Sequence, residues 1–455
     1  MTDSATRQGP RNTPGLGRRA SLAGLLVALG GGAAASVRPL PSLLALSGFG
    51  ALAAGVRWPV IPMTALVVAG PLETAITLPG ALAPVGLTKV ASAYAVIAVL
   101  GHALLTRHRF RGDQIYGLGL GMACLALLSA AASPDPGTSL STAIRLAGAV
   151  ALLVVVSEFG TGHHVRTVMW AWTTVTAAVT LPALLMFVTG QTQLLRTDTA
   201  DPNDFAVLMA IALPMAVFLA GRSTSSLAGR ALAAGCVGLL VVSVLLTLSR
   251  GAVAGLVVGT LWHLGAEPRH RRGLSGVLLA GAGVIAVAAA ALAPLVTEAL
   301  TRKEVSASYN VASRLSGWRL ALELSVDHPT LGIGPGLFGT YYREGTDTPP
   351  GAFALEVTHN TYLGVLTEMG LPALLVLLTL LGLSWTRMTA LRSASILTCA
   401  EQGAAATVRT CLLIGLVAVT FSSQEYSPPL WLLAGLASAV AAKRGVTPAS
   451  DRACC

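Results

Sequence analysis

Charge is what this sequence has least of. Asp, Glu, Lys and Arg make up 11% of its 455 residues while 54% are hydrophobic, against about a quarter charged in soluble domains. A soluble fold of this length cannot hide that much apolar sequence. Cysteine is also sparse. Cys124, Cys236, Cys399, Cys411, Cys454 and Cys455 form no Cys/His cluster with zinc spacing. No metal site and no disulfide are expected, and the terminal Cys454-Cys455 pair reads as a plain tail. No internal repeat is visible.

What is present instead is a series of apolar runs from about Ser21 to Ala442, each near the roughly 17–25 residues that cross a bilayer. The chain therefore reads as an all-α polytopic membrane protein with about 12–14 transmembrane helices. Spans are expected near 21–36, 40–56, 58–72, 85–105, 114–132, 139–159, 165–189, 204–221, 228–249, 251–265, 274–297, 360–385, 407–421 and 428–442. The organisation that follows is a disordered tail at 1–19 and a transmembrane region at 20–297. An extracytoplasmic loop at 298–358 leads to terminal spans within 359–442 and a second tail at 443–455. Arg18-Arg19 before the first apolar run resembles a signal peptide, but an uncleaved first span is the preferred reading.

The net charge of +10 does not point to nucleic acid, because the basic residues are dispersed among short loops. With the amino end in the cytoplasm, Arg57, Arg107, Arg109, Arg111, Arg166, Arg222, Arg230, Arg269, Arg271, Arg272, Arg387 and Arg392 share the inner side. Most acidic residues fall outside, among them Glu73, Asp135, Asp201, Asp204, Glu298 and Glu425. This parity puts Asp201-Pro202-Asn203, Ser249-Arg250-Gly251, the long polar loop and His359 on one outer face. ATP is absent there, so Gly332-Ile333-Gly334-Pro335-Gly336 reads as a turn after a helix rather than a nucleotide cradle. Gly251/Gly255/Gly259 and Gly117/Gly121 have the spacing of close helix packing.

The candidate chemistry gathers around Thr358-His359-Asn360-Thr361-Tyr362-Leu363. Thr358 or Asn360 would cap a helix, and Tyr362 and Leu363 would share a helical face with His359. An imidazole able to take a hydroxyl proton at ambient pH is the functional reading. Arg250 ends an apolar helix at the outer side, where snorkelling competes with function. Arg314 and Arg319 lie on an amphipathic stretch, Ser313 to Asp327, whose apolar stripe is Leu315, Trp318, Leu322 and Val326, fit to lie along the bilayer surface. Arg319 has Glu323 at i, i+4, so a salt bridge competes there, whereas Arg314 has no such mate. Arg145, about two turns inside a span, is either a site residue or half of a buried pair with Asp201 or Asp204. Several arginines with a histidine at a membrane surface suit a lipid-linked diphosphate, whose oxygens guanidinium groups bind bidentately. They would also stabilise a departing diphosphate while the histidine activates a hydroxyl, with no metal required.

Between Arg196 and Leu436 the chain resembles the O-antigen ligase and O-antigen polymerase superfamily, which includes bacterial protein O-oligosaccharyltransferases. The likeness rests on Asp201-Pro202-Asn203-Asp204-Phe205-Ala206, on Leu248-Ser249-Arg250-Gly251-Ala252, and on Arg314-Leu315-Ser316-Gly317-Trp318-Arg319 with His328-Pro329-Thr330-Leu331-Gly332-Ile333-Gly334. It closes with His359-Asn360-Thr361-Tyr362-Leu363 and Glu368-Met369-Gly370. The resemblance implies a glycosyltransferase fold of the C type that takes a glycan from undecaprenyl diphosphate on the outer face of the cytoplasmic membrane. It implies Arg250 and Arg314 for the diphosphate, with Arg319 a second candidate, and His359 for the acceptor or leaving-group side. Asp201, Asn203, Asn360, Tyr362 and Glu368 lie in the matching motifs; Arg145 is not part of the likeness. The expected partners are the lipid-linked glycan, a glycan, lipid or protein hydroxyl acceptor, and the bilayer. No cofactor is called for. A flippase for the same lipid is the reading from another class, but a carrier would place polar residues near the midplane, often in repeats.

Overall fold

The computed structural model describes residues 39–78, 85–192, 195–197, 201–221, 226–266, 283, 293, 297, 311–345, 357–391 and 397–442. It is 81% helical, with no strand among the described residues. The helices are α1 (Pro39–Arg57), α2 (Val60–Glu73), α3 (Leu87–Thr106), α4 (Gln114–Ala132), α5 (Pro136–Phe159), α6 (His164–Val188), α7 (Pro202–Leu219), α8 (Leu227–Leu246) and α9 (Arg250–Ala266). Then come α10 (residues 311–327), α11 (Phe338–Gly345), α12 (Thr361–Leu391), α13 (Cys399–Ala418) and α14 (Pro428–Ala441). The tails and the expected span at 21–36 lie outside the described residues, as does nearly all of that at 274–297.

Among the described residues, helices α3 to α8 and α12 are long and apolar enough to cross a bilayer, seven in all, or eight if the bent α1–α2 pair is one broken span. The sequence leads to a larger number. The difference lies in α9, α13 and α14, and in the segments not described. α14 has 14 residues, about 21 Å at 1.5 Å per residue, short of the ~30 Å hydrocarbon thickness. α13 carries Glu401, Gln402 and Arg409. α1 and α2, expected as two spans, turn by 114° at the Trp58-Pro59 junction.

Side-chain caps set many of the helix starts. Asp113, Asp135, Asp201 and Ser226 each accept a backbone N–H from the first turn, and proline at N1 follows Asp135 and Asp201. Thr398 and Glu401 close a reciprocal capping box. Leu128, Leu185, Leu232, Leu261 and Leu375 point outward, while Ser129, Thr180, Thr367 and Ser384 are buried and hydrogen-bonded to backbone carbonyls. Lipid favours that inversion, since it solvates leucine and leaves hydroxyls to bond within the bundle.

Gly251, Gly255 and Gly259 line α9 where it meets α13. A Cβ on Gly255 would lie 2.8 Å from the Ile414 carbonyl oxygen, and one on Gly259 would lie 2.4 Å from Ile414 Cγ1. Gly117 and Gly121 behave otherwise. A Cβ on either meets nothing within 4 Å, so their spacing is not used for packing among the described residues.

Polar contacts gather the helix ends into two poles. At one, Arg387 Nη1 bonds both Asp113 oxygens (2.6 and 2.7 Å), Ser438 bonds Asp113, and His108, Arg111 and Tyr116 converge on Glu158. The pole thus ties the ends of α5, α12 and α14 to the start of α4. The other pole holds the ends of α4 and α13 and the starts of α5, α7, α9, α12 and α14. His359 lies there.

Candidate functional site

Asn360, not His359, starts α12. Its Oδ1 accepts the backbone N–H groups of Tyr362 (3.0 Å) and Leu363 (3.1 Å). His359 therefore stands outside the helix, and the expected face shared with Tyr362 and Leu363 does not form. The Tyr362 hydroxyl instead donates to the Leu416 carbonyl at 3.1 Å, tying α12 to α13.

His359 takes φ +50°, a left-handed conformation that costs a non-glycine residue about 1–2 kcal/mol. Its flanks hold it there. Trp318 Nε1 donates to the Thr358 carbonyl (3.0 Å), the Thr358 hydroxyl donates to the Asn360 carbonyl (2.9 Å), and the Thr361 N–H donates to the Val419 carbonyl (3.0 Å). The backbone thus presents the imidazole, whose Nδ1 is buried with no hydrogen-bond partner. Burial lowers the imidazole pKa below its ordinary value, and the Arg314 guanidinium lowers it further against the opposing pull of Asp201. The ring is consequently neutral at neutral pH, with a free lone pair.

Arg314 is half-buried on α10 and reaches the Phe421 carbonyl at 3.5 Å. Burial pulls its pKa down and Asp201 and Asp204 push it up; a guanidinium remains charged throughout. Asp201 caps α7, accepting the Asn203 N–H (2.8 Å) and Asn203 Nδ2 (2.9 Å). Asp204, one turn on, lies within electrostatic reach of Arg314 and Arg145 and beside Gln424.

The structure thus brings His359, Arg314, Asp201 and Asp204 together, with Arg145 near enough to act on Asp204 and Tyr426. Arg145 is exposed on α5 rather than locked in a buried pair. Arg250 is exposed and opens α9 rather than ending the preceding helix, because the chain turns at Leu248 (φ +53°). Its neighbour Gly251 packs against Phe421, which puts Arg250 at the rim of the same pole. Arg319 is exposed and forms neither the Glu323 salt bridge nor another ion pair among the described residues.

Glu368 is buried on α12, away from the imidazole. It accepts the backbone N–H groups of Gly336 (2.8 Å) and Phe338 (3.1 Å) and the Tyr426 hydroxyl (2.5 Å). Its own carbonyl accepts the Gly334 N–H (3.0 Å). The Gly332–Gly336 turn is therefore clamped onto α12 where that helix breaks, at Gly370 (φ +81°). The clamp fixes α10 relative to α12, and so Arg314 relative to His359.

Sequence reasoning passed over Phe421, Gln424 and Tyr426, which sit in the turn between α13 and α14. The polar break Ser422-Ser423-Gln424-Glu425-Tyr426 between two apolar runs was the available signal. Among the arginines, that reasoning placed Arg145 about two turns inside a span. Arg409 is the buried one, 1% exposed in the middle of α13, with its guanidinium 4.6 Å from the Trp262 ring. Among the described residues no three His, Cys, Asp or Glu side chains gather to hold a metal ion.

Residues 235–378 match the family model described as O-antigen ligase, which takes in Arg250, Arg314, Arg319, His359 and Glu368 but not Arg145, Asp201 or Gln424. The match is narrower at both ends than the stretch from Arg196 to Leu436. Among curated proteins, none matches the chain. Residues 235–378 of this membrane protein are thus similar to the O-antigen ligase family, a likeness that supports a glycosyltransferase-type role in polysaccharide assembly.

Proposed function

We propose that the chain transfers a glycan from undecaprenyl diphosphate to a hydroxyl acceptor on the outer face of the cytoplasmic membrane. The observation that carries this reading is a neutral, half-buried imidazole with an unpartnered Nδ1 beside a half-buried arginine. His359 Nδ1 takes the acceptor proton as the acceptor oxygen bonds to the anomeric carbon. The bond from that carbon to the diphosphate oxygen breaks, and its electron pair leaves with the lipid diphosphate. Arg314 holds the departing charge, with Arg250 and Arg319 at the rim as further anion contacts. The chemistry this asks of the protein is proton removal and anion stabilisation, and it needs no metal.

The charge pattern supports the outer-face reading. The pole opposite His359 carries Arg107, Arg109, Arg111, Arg166, Arg230 and Arg387 in short loops or at helix ends, as cytoplasmic loops do. The arginines of the His359 pole are mostly those of the cluster. The exposed stripe of Leu315, Leu322 and Val326 on α10 would rest on the lipid surface and keep Arg314 at headgroup depth.

The test uses purified protein in liposomes with a labelled undecaprenyl-diphosphate glycan and cell-envelope acceptors, comparing wild type with His359→Asn. Asparagine tolerates the left-handed backbone, so the comparison isolates the imidazole. The proposal expects label on a larger product from wild type only. Label that crosses a sealed bilayer equally in both proteins, with no transfer, would replace it with a transport function.

A further inference from the structure

The pole contains a second set of buried polar groups that proton transfer and diphosphate binding leave unused. Asp204 Oδ1 and Gln424 Nε2 are both buried and neither closes a hydrogen bond of good geometry, although the two side chains lie beside each other. Gln424 is only 1% exposed. A buried carboxamide donor left open is destabilising, so such a pair persists where something else supplies the missing bonds. Helix capping does not explain Asp204, because Asp201 already caps α7. Charge pairing does not explain it either: Arg145 and Arg314 both lie within electrostatic range, yet it forms no ion pair among the described residues.

We infer that Asp204 and Gln424 form the subsite for the sugar ring joined directly to the lipid diphosphate, with Arg145 at its edge. The inference rests on the donor proposed above. A diphosphate held by Arg314 brings its attached ring within one glycosyl–phosphate linkage of that guanidinium. Asp201 and Asp204 both lie within electrostatic reach of it, and Asp201 is already engaged as the α7 cap, which leaves Asp204. Ring hydroxyls are donors and acceptors at once. A carboxylate can accept from two neighbouring hydroxyls, and the Gln424 amide can donate to a hydroxyl or an acetamido carbonyl oxygen. A bare diphosphate has no ring hydroxyls to offer Asp204 and Gln424, so the pair distinguishes a loaded carrier from a spent one. The subsite would thereby favour binding of the glycan donor and release of the lipid product.

The experiment measures the affinity of the full-length protein in nanodiscs for sugar-free undecaprenyl diphosphate. The same measurement is made for undecaprenyl diphosphates bearing glucose, galactose or N-acetylglucosamine. Wild type should bind at least one loaded lipid more tightly than the bare one. Asp204→Asn and Gln424→Ala should each weaken that loaded lipid about tenfold or more and leave the bare lipid within about twofold. Arg314→Ala should weaken both. Equal losses for loaded and bare lipid in both subsite variants, or no loss in either, would overturn the subsite while leaving the transferase reading intact. Failure of wild type to bind any of these lipids would overturn both. Gln424 lies in a turn, so its variant keeps the test valid if Asp204→Asn does not fold.

Discussion

At His359 the side chain and the backbone make separate demands, and substitutions separate them. Alanine removes the imidazole and keeps a Cβ at φ +50°; glycine removes the imidazole and the conformational cost together. Activity should fall by about 10²–10⁴ in both, whereas thermal unfolding in detergent should show His359→Gly more stable than His359→Ala by about 1 kcal/mol. The direction of the His359 shift sets the pH dependence. Burial and Arg314 hold its pKa below 6.5, so the base stays neutral as pH falls through the ordinary histidine range. The transfer rate should therefore keep its plateau below pH 6.5 and decline only through the lower folded value, as a pH–rate profile of purified protein would show. A limb centred above pH 6.5 would mean that the imidazole is not the titrating base. None of this could be read from the local sequence. Histidine and asparagine there announce a helix start, but the left-handed backbone and the neighbouring Arg314 come from parts of the chain far from position 359.

At the scale of elements, the glycines divide by what lies opposite them. Gly255 meets a backbone carbonyl and Gly370 would put a Cβ 2.4 Å from the Thr330 carbonyl oxygen, the latter at positive φ. Gly370→Ala should destabilise the protein by about 2 kcal/mol or more, and Gly255→Ala should also lower the unfolding temperature. Gly117→Ala and Gly121→Ala should change it little, since both face open space. The spacing that suggested packing is the same in both sets; only the helix opposite tells them apart. Glu368 follows the same logic. Its replacement by alanine leaves the Gly336 and Phe338 N–H groups without their acceptor, at about 1–3 kcal/mol each. Limited proteolysis should then cut the 332–345 segment faster than in wild type. In the sequence Glu368 reads as a site residue, and its role in clamping a turn emerges only from its partners.

For the whole molecule, the two poles predict an asymmetry that labelling can read. In a background lacking native cysteines, an impermeant thiol reagent applied to intact cells should modify Arg319→Cys at the His359 pole. It should not modify Leu227→Cys, which is 79% exposed at the opposite pole; the reverse pattern would turn the proposed orientation over. Composition alone determined that this chain lives in lipid, because 54% hydrophobic residues arranged in long runs have no other stable solvent. Hydropathy also marked most helix starts, since that signal acts within a few turns of the chain. The number of full spans was less legible, because a run such as α14 is apolar for reasons of burial as well as of lipid contact. Which arginine faces the imidazole, that Arg409 rather than Arg145 is the buried arginine, and that Asp204 meets Gln424 were decided only by the tertiary structure. Those contacts join residues up to hundreds of positions apart, and helix packing, which no local pattern encodes, selects among the many polar groups that share one end of the bundle.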